Sequence, residues 1–113
     1  MWAIVIILIL LFIYVLFLLM LKKTQIIRFS KPTCKFCIES QPEWDAFKEL
    51  ALTKKLNIEI IDVDITNNSI HTRTWLAKYN VTTVPTIIKI NMWGSYVYNG
   101  PLNRNDYLNF ITN

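Results

Sequence analysis

The hydrophobic and polar positions divide the chain into two unequal parts. Residues 1–21, MWAIVIILILLFIYVLFLLML, carry no charged side chain, and every Lys, Arg, Asp and Glu lies from Lys22 onward. As a helix rising ~1.5 Å per residue, this run spans roughly 30 Å, about one hydrocarbon core. It is apolar on every side, so it does not suit a surface helix, and the remaining chain is too small to wrap it. Trp2 lies near one end, where an indole suits the headgroup region, and Lys22-Lys23 close the other. The rival reading, a cleaved signal peptide, needs a basic start, a shorter apolar stretch and small residues at the cut, and these are missing. The segment therefore reads as a single-pass transmembrane anchor over residues 1–21, followed by one domain over 22–113. The positive-inside rule, applied to Lys22 and Lys23, puts that domain on the cytosolic side.

The polar part shows alternating and helical periods in turn. Residues 25–30 form a short β-type run that Lys31-Pro32-Thr33 breaks, since proline cannot extend a ladder. Residues 35–53 carry Trp44, Phe47, Leu50 and Ala51 at three- and four-residue spacing, one face of a helix, with Pro42 inside as an expected kink. Residues 56–65 are rich in β-branched side chains and predict a strand. Thr66-Asn-Asn-Ser69 is a turn able to cap a helix over 70–80, whose buried side would be Trp75, Leu76 and Tyr79. Residues 83–90 predict a strand, 91–94 a hairpin connection and 95–98 its return. A last helix starts at Asn103, with Asp106 three residues on as an approximate capping box, and buries Leu108 and Ile111. The order β-α-β-α-β-β-α implies an α/β domain, a mixed sheet flanked by helices on both faces, after one transmembrane helix.

Charge adds little to this picture. The formal net charge is +4, and the basic residues are scattered rather than gathered on one face. With no matching motif, nucleic acid is not expected as a partner. Composition matters more at the cysteines. There are two, in Cys34-Lys35-Phe36-Cys37, and they fall between a predicted strand and a predicted helix. The first turn of a helix offers free N–H groups and the positive end of its dipole, which stabilise a thiolate. Cys34 is thus expected to have a lowered pKa and to act as a nucleophile, with Lys35 adding positive charge and Phe36 completing the intervening pair. Cys37, a turn further in and shielded, is placed to resolve a mixed disulfide on Cys34. A zinc site would need four ligands, and two Cys plus a distant His71 do not supply them, so neither metal nor cofactor is expected. A purely structural disulfide across so short a loop would constrain the unfolded chain little.

At these residues the chain resembles the thioredoxin superfamily, thioredoxins and glutaredoxins together, over nearly all of residues 25–113. The strand and turn Ile26-Ile-Arg-Phe-Ser-Lys-Pro-Thr-Cys-Lys-Phe-Cys37 are similar to the family's active-site segment. Pro42 matches its helix-kinking proline, and Tyr79-Asn-Val-Thr-Thr-Val-Pro-Thr86 its Val/Ile-Pro-Thr stretch. Tyr98-Asn-Gly100 and the final amphipathic helix also have counterparts. The resemblance implies a thioredoxin-like fold, a cis Pro85 packed beside the cysteines, and a peptide groove to which Val84 and Pro85 contribute by strand addition. The departures are specific. Thr33 stands where thioredoxins carry Trp, and Arg28 where they bury an acid beneath the second cysteine. The glutaredoxin Gly-Gly is missing, and the anchor occupies the place of the family's N-terminal strand and helix.

The function expected is dithiol–disulfide exchange with protein thiols and disulfides as substrates. Two alternatives remain: a tethered interaction module that turns over poorly, favoured by Arg28 and Thr33, and a glutathione-linked glutaredoxin-like protein. Membrane-tethered domains of this kind often face an oxidising compartment, which opposes the lysine signal. About ten residues, at most ~35 Å of chain, separate Lys23 from Cys34, so the active site is expected to face away from the membrane. His71 reads as a solvated helix residue, and Trp44 and Trp93 as packing residues. Substrate identity and oligomeric state are not written in the pattern.

Overall fold

The computed structural model describes residues 1–20 and 23–112; Leu21, Lys22 and Asn113 lie outside the described residues, and with them the expected boundary between anchor and domain and one lysine of the Lys22-Lys23 flank. The first element is a helix, α1 (Trp2–Met20), with no buried residue. It is long and apolar enough to cross a membrane. The domain then runs β1 (Thr24–Ser30), α2 (Lys35–Thr53), β2 (Ile58–Asp64), α3 (Ile70–Lys78), β3 (Thr86–Asn91), β4 (Gly94–Val97) and α4 (Arg104–Thr112). The element order is the one the hydrophobic pattern predicts. Boundaries shift by a few residues, most at β3, which starts after the proline rather than before it.

The sheet order is β2-β1-β3-β4, with β1 parallel to β2 and antiparallel to β3. Strand side chains alternate between faces, and β1 shows the consequence. Ile26 joins Trp44, Phe47, Ile87, Tyr107 and Ile111 in one core layer, under α2 and α4. Ile27 and Phe29 join Val63 and Ile88 in the other, against Trp75 and Leu76 of α3 and Tyr79, its C-cap. The Trp44, Phe47 and Tyr107 rings meet at centroid distances of 5.2 to 5.7 Å, in the tilted and edge-on geometries that aromatic quadrupoles favour. Trp44 Nε1 donates to Asp62 Oδ1 at 2.7 Å, which joins α2 to β2 and satisfies the buried indole.

Three sequence expectations change. Tyr107, fully buried, is the principal core residue of α4, while Leu108 is half-buried. On α3 the buried residue is Thr72, and Trp75, Leu76 and Tyr79 are half-buried, because one short helix covers only part of its sheet face. Trp93 does not pack: it sits in the two-residue turn between β3 and β4 and is 79% exposed. At the start of α4, the Asp106 N–H donates to Asn103 Oδ1 at 2.9 Å and Asn103 Nδ2 to Asp106 Oδ2, so the anticipated cap is formed. Arg104, the first residue of α4, clasps Glu43 of α2 through its backbone N–H and its guanidinium.

Candidate active site

Cys34 is the N-cap of α2, with extended backbone angles, and its Sγ accepts the Cys37 N–H at 3.1 Å. A cap position is normally filled by an oxygen that takes one of the orphan N–H groups of the first turn. Here a thiol sulfur takes that place, so the helix end acts directly on it. Burial pushes the Cys34 thiol up. The Cys37 side chain, the Cys37 and Phe36 N–H groups and the charge of Lys31 outweigh that, and the net pKa lies below that of an ordinary thiol. For Cys37, burial and the Cys34 thiol push the pKa up. A backbone hydrogen bond from Lys31 and the Arg28 charge act in the opposite direction, and the net pKa is raised. The two cysteines are not joined by a disulfide in this structure. Cys34 is 8% exposed and Cys37 3%, so the contrast between an open and a shielded thiol is smaller than expected.

The cation that acts on Cys34 is Lys31, in the strand-to-helix turn. The adjacent Lys35 is solvent-exposed, with Nζ 4.0 Å from Oε1 of Glu39, one helical turn further along α2. Phe36 acts on the thiol through its N–H, while its ring is 63% exposed beside the pair.

The Val84–Pro85 peptide is cis, as the family resemblance implies. Cys34 Sγ donates to the Val84 carbonyl oxygen at 3.7 Å, which brings residues fifty positions apart into contact. A groove runs along this junction, lined by Thr33, Cys34, Ile65, Leu76, Val81 and Val84 among others. A second cleft on the other side of the pair is lined by Ser30, Lys31, Pro32, Cys37, Gln41 and Asp64 among others, and gives solvent a path toward Cys37. Among the described residues no three His, Cys, Asp or Glu side chains gather to hold a metal ion.

Beneath Cys37 lies Arg28, 1% exposed. Its Nη2 donates to the Cys37 carbonyl oxygen at 2.9 Å and to Ser40 Oγ at 3.1 Å, and its Nη1 to Gln41 Oε1 at 2.8 Å. Its guanidinium carbon stands 5.7 Å from the centroid of the Trp44 ring. Nε has no partner, and no carboxylate pairs with this guanidinium among the described residues. A planar five-donor fork suits such a site, since three of its hydrogen bonds go to neutral oxygens of α2. The family resemblance puts Arg28 at the position beneath the second cysteine, and it lies there. Its position two residues after Ile26 on the same strand face was the signal that it points into the α2 layer.

A mixed four-stranded sheet with a Cys-x-x-Cys pair capping the helix after β1, beside a cis proline, defines a thioredoxin-fold protein. Residues 16–113 match the thioredoxin family profile, and the chain belongs to that family. It is 31% identical over 87 residues to thioredoxin-related transmembrane protein 1 of Homo sapiens, a match that covers 77% of this chain and 29% of the relative. The chain thus spans less than a third of that protein's length. Among solved structures, it is similar to the first thioredoxin domain of mouse protein disulfide-isomerase A4, with a TM-score of 0.68 and 21% identity, over 80% of this chain and 62% of that one. It is also similar to Fasciola hepatica thioredoxin, with a TM-score of 0.61 and 23% identity, over 80% of this chain and 79% of that one. These likenesses carry the fold.

Proposed function

We propose that the protein is a membrane-anchored thiol–disulfide oxidoreductase that exchanges a Cys34–Cys37 dithiol or disulfide with protein substrates. The observation that carries this reading is the Cys34 sulfur at the N-cap of α2, hydrogen-bonded at 3.1 Å to the Cys37 N–H. That arrangement stabilises the thiolate, which is the attacking species. In the reducing direction, the Cys34 thiolate attacks one sulfur of a substrate disulfide and expels the other as a thiolate. A mixed disulfide results. Cys37 loses its proton to water in the adjoining cleft and attacks Cys34 Sγ. The second substrate sulfur leaves, the substrate has gained two electrons, and Cys34–Cys37 is oxidised. The reverse sequence oxidises a substrate dithiol. Val84 and Pro85 would line the substrate groove, with an extended peptide laid along the backbone at Val84. Lys35 and Phe36, both exposed beside the pair, would meet the substrate.

The anchor rests on α1, and Lys22 and Lys23 after it favour a cytosolic domain. Protease protection of a C-terminal tag in sealed membranes tests that side. A second reading, a tethered thioredoxin-fold module with poor turnover, draws on Arg28, because the pocket beneath Cys37 holds a cation rather than a proton acceptor. The experiment that separates the two is a redox titration of the full chain in detergent, by thiol trapping in graded glutathione buffers, with Cys37→Ser tested for trapped mixed disulfides. A reversible two-electron transition with trapped substrate is expected. No transition, or a Cys34 no more reactive than a free thiol, would leave the adaptor reading.

A further inference from the structure

The domain has a base and a top, and chain connectivity assigns the base to the membrane side. Thr24, the first residue of β1, follows Met20, the last of α1, after only residues 21–23. That is at most ~14 Å of extended chain. Three connections come together at this end of the sheet. Thr24 pairs with Ile58, so the turn from α2 into β2 lies there. Gln25 pairs with Ile90, so the β3–β4 turn projects past the start of β1. Lys23 and Met92 line one cleft there, together with Gln25, Glu59, Ile90 and Asn91.

The side chains at this end are unusual for the turns of a water-soluble domain. Trp93 is 79% exposed, Met92 53% and Leu52 81%, and Lys23, Lys54 and Lys55 are exposed among them. Hairpin tips favour small polar residues. This one presents an indole and a thioether, held out by a turn in which the Trp93 N–H donates to Asn91 Oδ1 at 2.9 Å. Of the acids nearby, Glu59 accepts from Gln25 Nε2 at 3.1 Å, and Glu49 lies exposed near the end of α2. Indoles partition to the bilayer interface, lysines keep their heads among phosphates, and each basic residue near an anionic leaflet adds attraction.

We propose that Trp93 and Met92 of the β3–β4 turn, with Leu52 at the end of α2 and Lys54 and Lys55 of the α2–β2 turn, form a second contact with the phospholipid headgroup layer of the bilayer that α1 enters. Two short turns and the tether then hold the domain base-down and keep Cys34, at the opposite end of β1, clear of the surface. The proposal rests on the membrane-anchor reading of α1 and adds a lipid-binding face to the domain.

The test uses the full chain with Trp2→Phe, reconstituted in phosphatidylcholine–phosphatidylserine vesicles whose phosphatidylcholine is brominated near the headgroup end of its acyl chains. Vesicle flotation establishes insertion separately. Trp44 is buried and Trp75 half-buried in the domain, so a quenched component of the emission is expected from Trp93 and should vanish in Trp93→Ser, while flotation is unchanged. Lys54→Glu with Lys55→Glu is expected to weaken the quenching in the same vesicles. A chain that floats but shows equal quenching with and without Trp93 overturns the lipid contact alone, and would leave a protein as the partner of this face. A chain that does not float overturns the anchor and this inference together.

Discussion

Arg28 holds Cys37 from below. Its Nη2 lies 2.9 Å from the Cys37 carbonyl oxygen, and the guanidinium faces neutral oxygens on the first two turns of α2. A fixed positive charge there supports the Cys37 thiolate that, in the proposed exchange, must form before a mixed disulfide resolves, although it cannot itself receive the proton.

Arg28→Met separates charge from shape. Replacing the guanidinium by an apolar side chain of similar length removes a desolvated charge but also three hydrogen bonds to α2, so the net change in stability is expected to stay within about 2 kcal/mol. Loss of the charge lets the Cys37 thiol rise further. Resolution of a mixed disulfide on Cys34 should slow at neutral pH, by roughly threefold for each tenfold loss of thiolate, because nucleophilicity rises as the thiolate fraction falls. Denaturant unfolding and the decay of a preformed mixed disulfide, measured on the same variant, check the two halves. A variant that resolves as fast as the wild type would make Arg28 purely structural.

Cys37→Ala removes the side-chain hydrogen bond that helps lower the Cys34 pKa, and leaves the N–H groups of residues 36 and 37 in place. The rate of Cys34 alkylation by iodoacetamide rises with pH as the thiolate forms. Its inflection is expected below that of an ordinary thiol in the reduced wild type, and higher in the variant. An inflection that does not move would assign the whole effect to the helix end and Lys31.

The Glu43–Arg104 clasp makes a pH-dependent contribution to stability. Hydrogen bonds from the Arg104 side chain and backbone hold the Glu43 carboxyl below its usual range. A carboxylate with a depressed folded pKa contributes stability that is present above its unfolded pKa and is lost as pH falls through the folded one. Arg104→Ala should therefore unfold more readily than the wild type at neutral pH, with the difference closing in acid. Both groups are solvent-accessible, so the effect is small and should shrink in high salt. Chemical denaturation across that pH range measures it.

Most of the scaffold was legible because apolar spacing reports directly on which face is buried. The 35–53 helix, the capping pair Asn103 and Asp106, and the cysteines at a strand–helix junction all follow from spacing and residue type alone. The misreadings share a cause: burial at a given position depends on partners distant in sequence. Arg28 is placed beneath the second cysteine by the family resemblance alone, and it lies there, on the Ile26 face and beside the Trp44 ring. Lys35 adjoins Cys34 in sequence, but the helix turns it toward Glu39, and Lys31, three residues earlier, supplies the charge. Trp93 has the composition of a core residue and the location of a turn. The pattern places it in the 91–94 hairpin connection, and its exposure follows from that turn rather than from its residue type.

β1 is an inner strand and also the segment that follows α1, the proposed anchor, and the cysteine that would capture substrate follows four residues after its end. The covalent path from bilayer to a trapped substrate sulfur therefore runs along this one strand and through the turn at Lys31-Pro32-Thr33. A tug on the captured partner is carried as tension along β1. The helices, the other strands and both core layers lie outside that line of load, with ladders on both sides of β1 bracing it. On the proposed function the protein would act as a mooring, holding a moving partner by its sulfur without its own fold being drawn open.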